Sequence, residues 1–217
     1  QKKLIDELRA AGDMSKCAGA ITPLVELINR TDCPEPSTTR KKSNLAEEYP
    51  YRSVLGKLLY LCHSRPDLRL ACSQLAKVAD NPAEQHVKAL KRAIRYVHST
   101  RDLGLVFGLK NDPHDGKMYV CADACHGEQA ISGMVGMIAG AAFTARAWGQ
   151  KCVSLHSYGA EAVALADSVK LAIWAQGVLE DMGFHNPDPV VVYDDSQSVI
   201  KTLSTEICNS RTRHLRL

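Results

Sequence analysis

The sequence predicts an α/β protein in which a mixed sheet is covered by helices and preceded by a small helical region. Short β-prone runs punctuated by glycines begin after Gly104, and an alanine-rich helical stretch follows at residues 160–182. A continuous apolar run at residues 190–193 then precedes a second helical stretch at residues 196–207. Strands, a helix, a buried strand and a helix together describe a sheet with helices laid across it.

From the N-terminus, Leu4, Ile5 and Leu8 recur at helical spacing and predict a short amphipathic helix over residues 2–11. The opening string QKKLIDELRAAG begins inside that helix with neither a start methionine nor a cap, as expected of a piece of something longer. Residues 33–50 are polar and contain three prolines, too little apolar surface to offset the entropy of ordering, and read as a flexible linker. Residues 51–79 return to helical periodicity, and Pro66 is expected to split them into two helices. Asn81 as cap and Pro82 at the first helical position announce a further helix running to Ser99, with Val87, Leu90, Ile94 and Val97 on its apolar side.

Beyond Gly104 come LVFG, the turn-rich NDPHDG and MYVCA, which place a domain boundary near Leu109. Residues 1–109 then form the helical region and 110–217 the α/β domain. Strands are predicted at residues 117–122, 132–139, 141–147 and 152–155, and the run at 190–193 has the texture of a strand buried on both faces.

The chain has 217 residues, 45% hydrophobic and 24% charged, and a formal net charge of +3 from 27 basic and 24 acidic side chains. That balance excludes a uniformly basic nucleic-acid binder, so any such contact must come from local patches. Cysteines are scattered without a Cys-x-x-Cys pair, most among apolar neighbours, which favours buried thiols in a reducing intracellular compartment. Cys121, Cys125 and His126 lack a fourth ligand at finger-like spacing and are not expected to hold zinc. No signal-peptide pattern opens the chain, and no apolar run reaches the roughly 20 residues that span a bilayer.

Three acidic residues occupy comparable places: Asp123 at the end of the first strand, Glu161 in the first turn of the long helix, and Asp195 after the buried strand. In an open α/β sheet, strand carboxyl ends and facing helix starts form the ligand crevice. Carboxylates converging there suit Mg²⁺ or Mn²⁺, the hard-ligand chemistry of phosphodiester hydrolysis. Taken singly, each has a structural alternative, since Asp at a strand end caps the next helix and an early Glu complements its dipole. Tyr193, Asp194 and Asp195 superficially suggest the Tyr-x-Asp-Asp turn of a polymerase palm, but the intervening residue is missing and a helix-forming run follows.

The strings PYRSVLGKLLYLCHSRPDL (residues 50–68) and NPAEQHVKALKRAIRYVHSTRDLGLVFG (residues 81–108) closely resemble the segment of copia-type LTR retrotransposon Pol polyproteins between the reverse-transcriptase palm and ribonuclease H. CADACHGEQ, SGMVGMIAG, WGQKCVSLHSYGAEAVALADSVKLAIW, VVYDDSQSVI and SRTRHLRL resemble the ribonuclease H domain of the same family. The resemblance implies a thumb/connection-like helical region followed by a ribonuclease H-like domain lacking its last strand and fourth carboxylate. It makes Asp123, Glu161 and Asp195, rather than Asp194, the catalytic metal ligands for Mg²⁺ or Mn²⁺, acting on the RNA strand of an RNA:DNA hybrid. The family usually carries further acids where this chain has Cys125 and Gly159, neither a residue assigned to the metal.

His214 matches a family Lys-His motif, and Arg211, Arg213 and Arg216 beside it form a basic cluster suited to phosphate; a solvated basic helix start is the alternative. Lys88, Lys91, Arg92 and Arg95 form a second basic stripe with the same two readings. Fingers and palm would lie upstream, in a longer parent. The competing expectation is a decayed or domesticated remnant that keeps the fold as a non-catalytic nucleic-acid- or protein-binding module; a purely structural helical module leaves the three acids unexplained.

Overall fold

The structure, a computed structural model, describes residues 1–11, 14, 17–28, 49–108, 112–127, 130–152, 154, 156–184 and 188–205. The linker expected at residues 33–50 lies outside them except for Tyr49 and Pro50, as do Arg211, Arg213, His214 and Arg216. Two compact units are present, Gln1–Leu105 and Val106–Leu217.

The first unit contains α1 (Lys2–Ala11), α2 (Tyr51–Leu61), a 3-10 turn (Pro66–Leu68), α3 (Arg69–Ala76) and α4 (Glu84–Ser99). Pro66 separates α2 from α3 as expected: Arg65, the residue before it, leaves helical geometry at φ −128 and ψ 72. Helix α4 starts later than its sequence signals suggest. Pro82 is buried, and Ala83, which offers no side-chain acceptor, occupies the cap position in place of Asn81, its N–H donated to Nδ1 of His86 at 2.9 Å. Leu8, Leu58, Leu61, Leu68, Leu75, Leu90 and Val97 are fully buried in one core. Each is worth about 1.5–3 kcal/mol relative to exposure.

A polar staple joins the 3-10 turn to the end of α4. Arg65 donates to Asp67 through Nε at 3.0 Å and Nη2 at 2.7 Å, and to the carbonyl and hydroxyl oxygens of Thr100 at 2.9 and 2.7 Å. Tyr96 donates its hydroxyl to the same Asp67 carboxylate at 2.8 Å. The Arg-Pro-Asp and Tyr-x-x-x-Thr strings that carry the family resemblance are therefore one hydrogen-bonded network.

The second unit is a four-stranded mixed sheet of β1 (Tyr119–Cys125), β2 (Ile131–Ile138), β3 (Ala141–Gly149) and β4 (Val191–Tyr193), with α5 (Ser157–Asp181) and α6 (Gln197–Thr205). The strand order is β3-β2-β1-β4. β1, β2 and β3 pair antiparallel and β4 pairs parallel to β1. This mixed α/β architecture fits the expected ribonuclease H-like sheet. A two-residue loop joins β2 to β3, with Ala139 and Gly140 both at positive φ, the hairpin geometry whose twist matches its strands.

Three local expectations fail. The run ending in β4 reads as buried on both faces, yet Val191 and Tyr193 are 48% and 44% exposed, because among the described residues β4 is an edge strand paired only to β1. At residues 152–155, Cys152 lies in a bend and Ser154 outside any strand, while Val153 and Leu155 fall outside the described residues. Cys17, Cys125 and Cys152 are exposed rather than buried; Cys62 and Cys72 are buried.

Helix α5 buries Ala160, Ala164, Ser168, Ala172 and Ala175 along one stripe, and these small side chains let its backbone approach β1 and β2 closely. Contrary to the sequence expectation, α5 is long and apolar enough to cross a membrane by length and composition alone. Its alanines account for this, and in the structure their stripe covers a sheet.

Gly136 in β2 leaves the space that the Phe143 ring occupies. A Cβ there would sit 2.5 and 2.7 Å from ring carbons of Phe143 and 3.0 Å from the Thr144 methyl. Gly136→Ala is expected to destabilise the second unit by about 1–3 kcal/mol through this overpacking. Chemical denaturation of the variant reads the effect, and an unchanged midpoint would show that the Phe143 ring swings aside freely.

Candidate metal centre

The parallel register of β1 and β4 builds the centre. Cys121 pairs with Tyr193. Two residues further along each chain stand Asp123 and Asp195, so continuation of the register sets them side by side at about the 4.8 Å spacing of neighbouring strands. Glu161 reaches the same point from α5. That helix begins at Ser157 after an extended His156, so Glu161 is its fifth residue rather than part of its first turn. One carboxylate oxygen from each of Asp123, Glu161 and Asp195 lies within 4.8 Å of the others. The three acids singled out in the sequence thus meet in one notch.

Gln150, a residue the sequence reading passed over, anchors the helix side of that notch. It is 6% exposed, and its Nε2 donates to the Ser132 hydroxyl and to the carbonyl oxygen of Ala160, both at 2.8 Å. Because Ala160 immediately precedes Glu161, this bond ties the glutamate's backbone to β2. The available signal was a lone amide between Trp148 and the strand-like run that follows, too local to reveal its partners.

Burial raises the Glu161 carboxyl to a pKa of about 7, with the charges of Asp194, Asp123 and Asp195 adding to it and the Ala124 backbone opposing. Its Oε2 is buried with no hydrogen-bond partner. Asp194 is likewise pushed up, first by burial and then by Asp195 and Asp123, against the Ser196 N–H bond that favours its charged form. Three carboxylates crowded into one notch, two of them exposed to solvent and the third with a buried unpartnered oxygen, form a donor set that suits a hard divalent cation. Asp123, Glu161 and Asp195 would supply the oxygens.

This electrostatics has a pH signature. The folded-state pKa of Glu161 lies above its ordinary 4.5. Folding therefore takes up a proton between those values: the favourable contribution is complete below pH 4.5 and lost as pH rises through about 7. Without divalent cations, wild-type stability is expected to fall between pH 5 and 8 more steeply than that of Glu161→Gln. Thermal unfolding of the two across that range checks it; parallel curves would contradict the assignment.

The basic stripe on α4 is largely engaged within the first unit. Lys88 pairs with Glu84 at 2.8 Å, Lys91 lies 5.1 Å from the centre of the Tyr49 ring, and Arg92 donates to the Thr22 carbonyl and hydroxyl oxygens at 3.1 Å. Arg95 has a buried Nε without a hydrogen-bond partner.

The fold and notch define a mixed α/β protein carrying a three-carboxylate centre where neighbouring strands end. No protein-family model matches the chain, and no solved structure does. Among curated proteins, it is 31% identical over 219 residues to the retrovirus-related Pol polyprotein from transposon TNT 1-94 of Nicotiana tabacum, covering 99% of this chain and 16% of that protein. It is 26% identical over 219 residues to the Pol polyprotein from transposon RE1 of Arabidopsis thaliana, covering 99% of this chain and 14% of that protein. Secreted RxLR effector protein 161 of Plasmopara viticola is 32% identical over 131 residues, 58% of this chain and 90% of that protein. The chain belongs to the copia-type retrotransposon Pol polyprotein family, and it spans about one-sixth or less of the length of the polyproteins it matches.

Proposed function

We propose that the chain is a ribonuclease H-type endonuclease segment of a retrotransposon Pol polyprotein, cleaving the RNA strand of RNA:DNA hybrids by divalent-metal-assisted hydrolysis. The convergence of Asp123, Glu161 and Asp195 carries this reading. When bound, Mg²⁺ or Mn²⁺ would supply an activated water and charge stabilisation at the leaving oxygen. The chain's own contribution is to hold the donor oxygens in place. The β1–β4 register orients the two aspartates, and the Gln150 anchor orients Glu161.

Hybrids are recognised by shape, backbone and 2′-hydroxyl rather than base sequence. Arg211, Arg213, His214 and Arg216 are the proposed phosphate contacts, with Lys88, Lys91, Arg92 and Arg95 as a secondary set. The first unit is assigned to the thumb/connection region that follows a polymerase palm. A second reading, a non-catalytic nucleic-acid- or protein-binding module, has one observation in its favour: the match covers 90% of a protein described as a secreted effector. A cleavage assay on a labelled hybrid with Mg²⁺ or Mn²⁺ separates the two. The nuclease reading expects metal-dependent cutting of the RNA strand alone, and binding without cutting would favour the module.

A further inference from the structure

Helix α5 has two apolar faces. Ala164, Ser168, Ala172 and Ala175 lie against the sheet, and at 3.6 residues per turn Gly177 stands almost diametrically opposite them. Around that glycine, Ile173 and Trp174 are 67% and 62% exposed and Val178 is 38% exposed. A helix resting on a sheet by one stripe is expected to turn polar side chains outward, so an exposed tryptophan among aliphatic neighbours marks a surface that binds something. Gly177 supports this independently. A Cβ there would meet nothing within 4 Å, so no packing among the described residues calls for glycine, and inside a helix it is less favourable than alanine. Its bare position is a recess in the middle of the apolar face.

We propose that this face of α5 docks against the same face of a second copy of the chain, the two helices antiparallel about a two-fold axis that passes between Ala175 and Gln176. That axis lays Trp174 of each copy over Gly177 of the other, with Ile173 and Val178 on the flanks. It also sets Lys170 of each copy against Asp181 of the other, because the two residues stand at equal distances, roughly 8 Å, on either side of it along the helix. Both are exposed, and the Lys170 side chain, 3.0 Å from Asp167 of its own helix, keeps 76% of its surface open to a further acceptor. These charges select the occupant and its direction. Parallel helices would set Lys170 on Lys170 and Asp181 on Asp181, whereas the antiparallel pair matches opposite charges at both ends. An aromatic and a recess on one patch, each facing the other across the axis, are the self-complementarity that an isologous contact requires. Glu161, in the second turn of α5, lies outside this surface, so the inference does not depend on the nuclease reading.

Sedimentation equilibrium of the full chain over a range of concentrations tests the pairing, with circular dichroism to confirm that each variant folds. The wild type is expected to show a concentration-dependent dimer. Trp174→Glu should weaken it at least about thirtyfold, the scale of a central aromatic at an interface. Lys170→Asp and Asp181→Lys should each weaken it by about three- to tenfold at low salt, and the two together should return it to near the wild-type affinity, because the reversed pair again matches. Restoration by the double reversal is specific to the antiparallel register, since general stickiness of an apolar face would not produce it. Association that survives Trp174→Glu, or a double reversal no tighter than either single change, overturns the proposal. So does a chain that is monomeric at every concentration: if it floats with phosphatidylcholine vesicles the face belongs to a bilayer, and if it does not the face stays uncovered.

Discussion

Asp123→Asn is expected to lower metal-dependent cleavage of an RNA:DNA hybrid by at least about a hundredfold, since even groups one step removed from a metal typically cost ten- to a hundredfold. The amide keeps the shape of the side chain and removes the charge that a divalent ion requires. In ion-free buffer the same change relieves repulsion among Asp123, Glu161 and Asp195, so the variant should unfold no earlier than wild type. Loss of cutting with retained stability is the signature of a ligand; loss of both would indicate misfolding. Equal cleavage by the two proteins would remove the enzymatic reading, and gel analysis of a hybrid labelled on the RNA strand shows which outcome holds.

Arg65→Ala carries the largest expected stability effect. The Arg65 side chain is 3% exposed, and its removal leaves Asp67, whose side chain is 35% exposed, without its ion-pair partner and with the Tyr96 hydroxyl as its remaining side-chain donor, while Thr100 loses two donated bonds. Breaking a buried pair from one side costs 3–5 kcal/mol, and the partial exposure of Asp67 places this case near the lower end, about 3 kcal/mol. Arg65→Lys should rescue little, because an ammonium cannot reproduce the two-pronged contact with the carboxylate. Burial, the strongest single influence on Asp67, pushes its carboxyl up, but the bonds from Arg65 and Tyr96 outweigh it and hold the group below the ordinary range. Its contribution is therefore present above the ordinary carboxylate range and fades as pH falls through the lowered value. Denaturant unfolding at neutral and acid pH measures both effects: the gap between wild type and Arg65→Ala should narrow in acid, and a constant gap would refute the charge-based account.

The family-bearing strings divide by role once the fold is known. Arg65, Asp67, Tyr96 and Thr100 hold the helical unit together, so a pattern that serves recognition of the family there reports architecture rather than chemistry. Lys88, Lys91 and Arg92, read as a possible phosphate-binding stripe, have near partners within their own unit, and this lowers their availability to a ligand without removing their charge.

Helical periodicity, the break at Pro66, the glycine-punctuated strands and the identities of the three acids were all readable from the chain, because each depends on neighbours a few residues apart or on a string long enough to be distinctive. The extent of exposure on β4, the bond from the α4 cap to His86 and the Gln150 anchor were not. Each depends on which distant segments come to lie together, and one-dimensional patterns hold no record of strand neighbours or edges. Parallel pairing of β1 with β4 brings Asp123 to Asp195, and the close seat of an alanine-striped helix on that sheet brings Glu161 to both. The candidate acids were legible as residue types; their meeting is a property of folded packing.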